Sequence, residues 1–311
     1  MKHPTVTVII PTYKPDEKLP KLLERLTKQT VLPEQVLIIN TEQQYFHEKA
    51  LKNISNVKVC HISKKEFDHG GTRDMGARMA DTDLCVFMTM DAVPADGHLL
   101  EKLIKPFADP MVGAAYARQL PAKDCNYLEQ CTREFNYGAE SRIKSKDDLE
   151  TMGIKTFFCS NVCAAYRRSI YLEQGGFEKK TIFNEDMIFA GKLILADYKI
   201  AYCADARVIH SHNYTGCQQL RRNFDLGVSQ ADHPEIFKMA ASESEGIRLV
   251  KQTAGKLLRA GKPWLIVSLV WQSGCKYLGY RLGKQYKRLP GALIRRCTMN
   301  PSYWSENDTQ F

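Results

Sequence analysis

Acidic residues are missing from a long C-terminal stretch of this chain. From Ile247 to Trp304 the 311-residue sequence carries 12 Lys and Arg and no Asp or Glu, which leaves 32 of the 44 basic residues against all 35 acidic ones elsewhere. The net charge of +9 is therefore a property of the tail. Long apolar runs are missing too. The longest, Trp264 to Trp271 broken by Ser268, falls far short of the roughly 18 to 20 residues that a membrane-spanning helix needs. No apolar signal core precedes the first strand pattern in MKHPTVTVII, so a cytoplasmic chain is expected. No two of the ten cysteines are spaced Cys-x-x-Cys and none has a His cluster at zinc spacing, which points to scattered core thiols in a reducing compartment. No Gly-x-Gly-x-x-Gly follows the first strand, which argues against a dinucleotide-dependent oxidoreductase.

What is present is ordinary globular material, 44% hydrophobic and 25% charged, enough for one large α/β domain with an appendage or for two domains. Val6 to Ile10 is a β-branched run closed by Pro11, and Leu19, Leu22, Leu23 and Leu26 follow at helical spacing. Gln35–Asn40, Val57–Ile62 and Leu84–Thr89 read as further strands with helical stretches between most of them. Such alternation predicts a parallel sheet with right-handed crossovers. Val112–Ala117 and Phe157–Arg167 read as strands, Ile200–Cys203 and Arg207–Ile209 as two short ones, and Asn126–Glu150 as a polar stretch holding a helix.

Three places could carry chemistry. The apolar strand at Leu84–Thr89 delivers Asp91 to its carboxyl end, where open α/β sheets bind ligands. A carboxylate there suits a metal ion on nucleotide phosphates, and it equally suits a cap for a helix from about Gly97 to Phe107. Gly70 and Gly71 precede a helix carrying Arg73 and Arg78, and such a start either holds an anion through exposed N–H groups or is a simple turn. Asn184, Glu185 and Asp186 open another helix, as caps or as a catalytic carboxylate that the helix dipole would keep ionised.

Taken in order, Val8–Tyr13, Gly70–Arg73, Thr89–Ala92, Gly175–Phe177 and Asn184–Asp186 resemble glycosyltransferase family 2, most nearly its bacterial rhamnosyltransferases. The resemblance covers roughly residues 5 to 215. It implies a GT-A type nucleotide-diphospho-sugar transferase fold, a Rossmann-like and mostly parallel sheet flanked by helices, over residues 1–225, with a basic helical region at 226–311. It further implies an inverting, metal-dependent transfer, from dTDP-L-rhamnose or another nucleotide sugar, to a glycan or lipid-linked glycan of a cell-surface polysaccharide. Pro11, Thr12 and Tyr13 match the loop around base and ribose, with Thr41 and Glu42 at the next strand end. Arg73 matches a residue of the donor pocket, and Thr72 and Glu185 are expected with it among the substrate-binding residues. Asp91 matches the last acid of the Asp-x-Asp metal motif, whose first acid is replaced here by Thr89. His210 fits the downstream histidine that joins the metal (Mn²⁺ or Mg²⁺) in some relatives, and His212 is a lesser candidate. Asp186 matches the general base.

In the tail, Trp271, Cys275, Leu278, Leu282, Tyr286, Leu289 and Leu293 recur at steps of three and four, with Arg281, Lys284, Arg288 and Arg295 on another side of the wheel. Pro290 divides the pattern into two helices. A nucleic-acid surface is disfavoured, since the basic residues are interleaved with apolar ones and no nucleic-acid motif is present. An anionic membrane surface is the expected partner, with a helix packed on the catalytic domain as the alternative. Attachment to the inner face of the plasma membrane follows as the expectation.

Overall fold

The computed structural model describes residues 3–51, 54, 56–239 and 243–305. In chain order the elements are β1 (Val6–Tyr13), α1 (Lys18–Thr27), β2 (Gln35–Thr41), β3 (Val57–Ile62), α2 (His69–Met79), β4 (Leu84–Met88), β5 (Val93–Pro94), α3 (Leu99–Ile104), β6 (Val112–Leu120), α4 (Tyr127–Asn136), β7 (Arg142–Lys144), α5 (Leu149–Met152), β8 (Cys163–Arg167), α6 (Arg168–Glu173), α7 (Glu185–Leu195), β9 (Lys199–Ile209), α8 (Gly216–Asp232), α9 (Pro234–Phe237), α10 (Glu243–Arg259), α11 (Leu265–Lys284), α12 (Gly291–Cys297) and α13 (Pro301–Ser305). They form two compact units, the first comprising Met1–Ala122, Tyr137–Lys179 and Glu185–Ser211, the second Lys123–Asn136, Lys180–Asn184 and His212–Phe311. Residue 225, where the sequence reading placed a boundary, lies within α8.

The first unit is a nine-stranded sheet in the order β3-β2-β1-β4-β8-β6-β9-β5, with β7 paired to β9. β1, β2, β3 and β4 are mutually parallel, as are β6 and β9, while β8 runs antiparallel between β4 and β6. Val36, Leu37, Ile38 and Ile39 are at most 1% exposed, because helices cover both sheet faces and every side chain of the strand is inside. Pro11 lies within β1 rather than closing it. The pairing of β1 with β4 ends at Ile9, so a residue without an N–H fits there.

Two strand expectations need correction. Phe157–Arg167 is a strand only from Cys163; the residues before it form a 3₁₀ turn at Gly153–Phe157 and a polar loop. The two short strands at 200–209 are one, β9. Its register against β6 jumps from Ala117↔Cys203 to Arg118↔Arg207, and the extra residues break the alternation that marks a strand in sequence.

The second unit is helical and centred on α8 against α11. A Cβ on Gly279 would lie 2.1 Å from the Leu220 carbonyl oxygen, and one on Gly283 would lie 2.1 Å from that of Phe224. The two helices therefore meet backbone to backbone. Phe224, Val228, Tyr286, Ile294, Cys297 and Trp304 pack into one apolar cluster, and Leu128, Leu257 and Leu269 into another. Asp225, buried beneath them, accepts hydrogen bonds from the Thr298 hydroxyl (2.6 Å) and the Met299 N–H (3.0 Å), tying α8 to the chain after α12. The predicted break at Pro290 is present, between α11 with its short 3₁₀ extension and α12. The predicted tail stripe, however, is not one surface. Cys275 and Tyr286 are buried and Leu282 and Leu289 pack on the apolar cluster, whereas Trp271 and Leu278 are exposed. The cause is the glycine seam at 279 and 283, which turns α11 so that its small residues meet α8. Among the described residues no helix is long and apolar enough to cross a membrane.

Candidate active site

The strand order places β2 on one side of β1 and β4 on the other, so the chain reverses its direction of winding between β1 and β4. The crevice outside the carboxyl ends of strands at such a reversal is where open α/β sheets bind ligands. Thr12 and Tyr13 end β1, Thr41 ends the neighbouring β2 in register with Tyr13, and Asp91 follows β4. At the β1 end, Thr12 donates to Asn40 Oδ1 (3.0 Å), and Tyr13 stands edge-on to Tyr45 with ring centroids 5.8 Å apart. Lys14 places Nζ 4.6 Å over the Tyr45 ring. The group offers flat surfaces and a cation, features suited to a base and a phosphate. Thr41 is 2% exposed and its hydroxyl has no hydrogen-bond partner. Glu42 accepts the Lys64 N–H at 2.6 Å, so one of its carboxylate oxygens organises the loop after β3.

The glycine pair has a packing reason. A Cβ on Gly70 would sit 1.9 Å from the Glu178 carbonyl oxygen. Of the two readings of the α2 start, an anion site or a simple turn, the structure shows a side-chain cap: Asp68 accepts the Gly71 N–H, and Thr72 Oγ1 accepts the Asp68 N–H at 3.2 Å. Arg73 is likewise engaged, donating from one nitrogen to the His69 carbonyl (2.9 Å) and pairing through it with Glu185 Oε1 (3.2 Å). Its Nε is buried without a partner.

At the start of α7 two adjacent carboxylates diverge. Burial alone would push Glu185 up, but Arg73, His69 and the side chain of Asn161 (3.2 Å from Oε1) together hold its carboxyl below the usual range. Among the described residues no cation is ion-paired with Asp186, and the charge of Arg73 is the least of the influences on it. Withdrawal from water and the charge of Glu185 push it up to about 7, against the N–H groups of Asn161 (3.0 Å) and Met187 (2.8 Å), which favour the ionised form. The sequence reading, in which the dipole keeps Asp186 ionised, thus needs correction. Desolvation and a neighbouring anion outweigh the helix start.

The residue that sequence reasoning missed is Asn161. It bonds both carboxylates, by backbone to Asp186 and by side chain to Glu185, and its own Oδ1 accepts the Tyr166 hydroxyl at 2.9 Å. The Ser160-Asn161 pair, two polar residues within an apolar run, is the signal the sequence offers for it. Next to it, Ser160 accepts from Gln119 Nε2 (3.1 Å), which donates also to the Tyr137 hydroxyl. With its amide nitrogen so committed, Gln119 turns Oε1 toward His210 Nδ1 at 3.0 Å and accepts a hydrogen bond from it. When neutral, His210 presents the lone pair of Nε2 3.5 Å from Asp91 Oδ2. Atoms held that close favour positive charge, from a protonated ring or from a cation that both ligate. Ligands of one divalent ion at about 2.1 Å stand about 3 Å apart, so Asp91 and His210 fit as two members of a metal shell. Among the described residues Asp91 and His210 belong to a His and carboxylate group able to hold such an ion. His212 is not on the strand, since β9 ends at Ile209. Behind the Cys159–Asn161 segment, the fully buried Lys144 donates to the carbonyls of Lys155 and Phe158 and fixes the loop from below. All ten cysteines are free thiols.

Residues 7–175 match the family model for glycosyl transferase family 2. The chain is 41% identical over 302 residues to the O-antigen chain rhamnosyltransferase RfbN of Salmonella typhimurium, covering 96% of each chain. It is 41% identical over 305 residues to the O-antigen chain rhamnosyltransferase WbaN of Salmonella anatum, covering 97% of this chain and 96% of that one. Among solved structures it resembles a mannosyltransferase of Pyrobaculum calidifontis in complex with GDP-Man and Mn²⁺, with a TM-score of 0.57 and 17% identity over 100% of this chain and 85% of that one. TarS residues 1–349 of Staphylococcus aureus give a TM-score of 0.54 at 15% identity over 91% of both chains.

Proposed function

The chain belongs to glycosyltransferase family 2 and is a glycosyltransferase of mixed α/β GT-A-like fold; from that premise we propose that it moves L-rhamnose from dTDP-L-rhamnose onto a growing, lipid-linked O-antigen chain, with inversion at the anomeric carbon. Near-full-length identity to two O-antigen rhamnosyltransferases carries the choice of donor and acceptor class. Asp186 is the general base. Its carboxylate takes the proton of the acceptor hydroxyl while that oxygen forms a bond to the anomeric carbon. The bond from that carbon to the diphosphate breaks on the opposite face, and dTDP leaves with the electron pair. Glu185 stays ionised against Arg73, so Asp186 carries the higher affinity for a proton of the two. Tyr13, with Tyr45 and Lys14, lines the base, and Pro11, Thr12, Thr41 and Glu42 border the nucleoside. A divalent cation, Mn²⁺ or Mg²⁺, would be held by Asp91 and His210, with His212 as a further candidate, and supplies charge neutralisation for the departing diphosphate. The enzyme works attached peripherally to the inner face of the plasma membrane, a reading supported by its acid-free basic tail.

The test is incubation of the purified protein with dTDP-L-rhamnose, a lipid-linked acceptor and Mn²⁺, following dTDP release and product mass. Product gaining one deoxyhexose is expected. Release from another nucleotide sugar but not from dTDP-L-rhamnose would reassign the donor.

A further inference from the structure

The side of α11 not packed on α8 is apolar and exposed, and Trp271 at its edge touches α8, its indole lying against Gly216. Trp264, just ahead of the helix, is 66% exposed, followed by Val267 (76%), Val270 (62%), Trp271 (65%), Tyr277 (59%) and Leu278 (51%). Steps of three, four and seven place all six within one arc, across from the buried Leu269, Gly279 and Gly283, with the buried Cys275 at its edge one turn after Trp271. On a helix in water this face would carry Lys and Glu. Here it carries aromatic and aliphatic groups and no acid.

Cations stand at both ends of the stripe. Arg259 is exposed and Lys262 half-buried before it, and Arg281, Lys284, Lys287 and Arg288 are exposed at its far end. The acids that approach this part of the chain are already matched: Glu134 with Lys256, Asp232 with Lys287 at 3.5 Å, and Glu129 with Arg133. An apolar face with indole and phenol rings, framed by Lys and Arg, fits the boundary between headgroups and acyl chains of an anionic leaflet. A second copy of the chain fits it less well, because a two-fold contact through this stripe brings its own cations against each other.

We propose that this face of α11 is a membrane-docking surface, seated in the headgroup layer of an anionic bilayer with Val267, Val270 and the rings of Trp264, Trp271 and Tyr277 immersed. It differs from the stripe read in the sequence, half of which packs inside. The proposal rests on the peripheral attachment described above and names the residues responsible.

The full-length protein and a Val267→Ser, Val270→Ser, Tyr277→Ser variant are compared by sedimentation with vesicles of phosphatidylglycerol and phosphatidylethanolamine, and with phosphatidylcholine alone. The three side chains are more than half exposed, so the thermal midpoint is unchanged and dTDP release without vesicles is as in wild type. Wild type pellets with the anionic vesicles and not with phosphatidylcholine, and the variant partitions about tenfold more weakly or worse. Brominated lipid quenches wild-type tryptophan emission through Trp264 and Trp271, since the only other tryptophan, Trp304, is 5% exposed. Equal partition of variant and wild type overturns the assignment, as does sedimentation without quenching, which would mean contact by charge alone. So does a wild-type dimer that the variant fails to form, with no vesicle binding by either. Because dTDP release is read separately, loss of docking leaves the catalytic reading standing.

Discussion

Glu185 and Asp186 are neighbours in sequence with different surroundings, and the difference comes from side chains brought in by α2 and by the loop before β8. Arg73 compensates one carboxylate; Asn161 touches both. Asn161→Ala keeps the backbone N–H to Asp186 but removes the bonds to Glu185 and Tyr166, so kcat should fall about tenfold with little change in donor KM, as for a residue that orients a catalytic group. Steady-state kinetics check it; a raised KM with unchanged kcat would place Asn161 on the donor instead. At the other corner, Gln119→Leu removes the acceptor that fixes the His210 ring. Mn²⁺ affinity, read by titration with donor present, should drop about 10- to 100-fold. Asp91→Ala should weaken donor binding with Mn²⁺ and change it little without; equal affinity at saturating Mn²⁺ contradicts its role. Asp91, His210 and Asp186 stand out as candidates in the sequence because each sits at an element end next to a recognisable motif. Asn161 and Gln119 do not, since they act through contacts 24 and 91 positions distant in sequence, and local pattern carries no such information.

At the scale of elements, β1 to β4 were legible because parallel strands covered on both faces read as continuous apolar runs. The antiparallel β8 is read too long, because the stretch ahead of it is mostly apolar, and the bulged β9 as two strands, because a register shift breaks its alternation. The tail shows the same limit. Its periodicity marked a helix, but which side faces inward is decided by Gly279 and Gly283, whose value lies in the side chains they lack. Gly283→Leu forces a side chain into the Phe224 carbonyl and should destabilise the second unit by about 1 to 3 kcal/mol or more. Urea unfolding followed by tryptophan emission measures this, because Trp304 packs on Phe224 and Tyr286. An unchanged midpoint would mean that the α8–α11 contact is looser than the structure has it.

Across the whole molecule, one unit holds the carboxylates and the metal corner and the other holds the basic, partly apolar surface. The proposed transfer turns on Asp186 as the base that takes the acceptor's proton. Only its ionised form can do so, and its carboxyl is pushed up to about 7. Activity should therefore be fully present above that value and fall about tenfold per pH unit below it. The most direct measurement is the pH dependence of single-turnover transfer from saturating dTDP-L-rhamnose, for wild type and Asp186→Asn, with donor binding measured alongside. Wild type should rise to a plateau through about pH 7, and the variant should bind donor normally yet be slower by about 10²-fold or more, with no limb near 7. A variant that transfers at near wild-type rate, or that keeps the same limb, would remove Asp186 from the reaction.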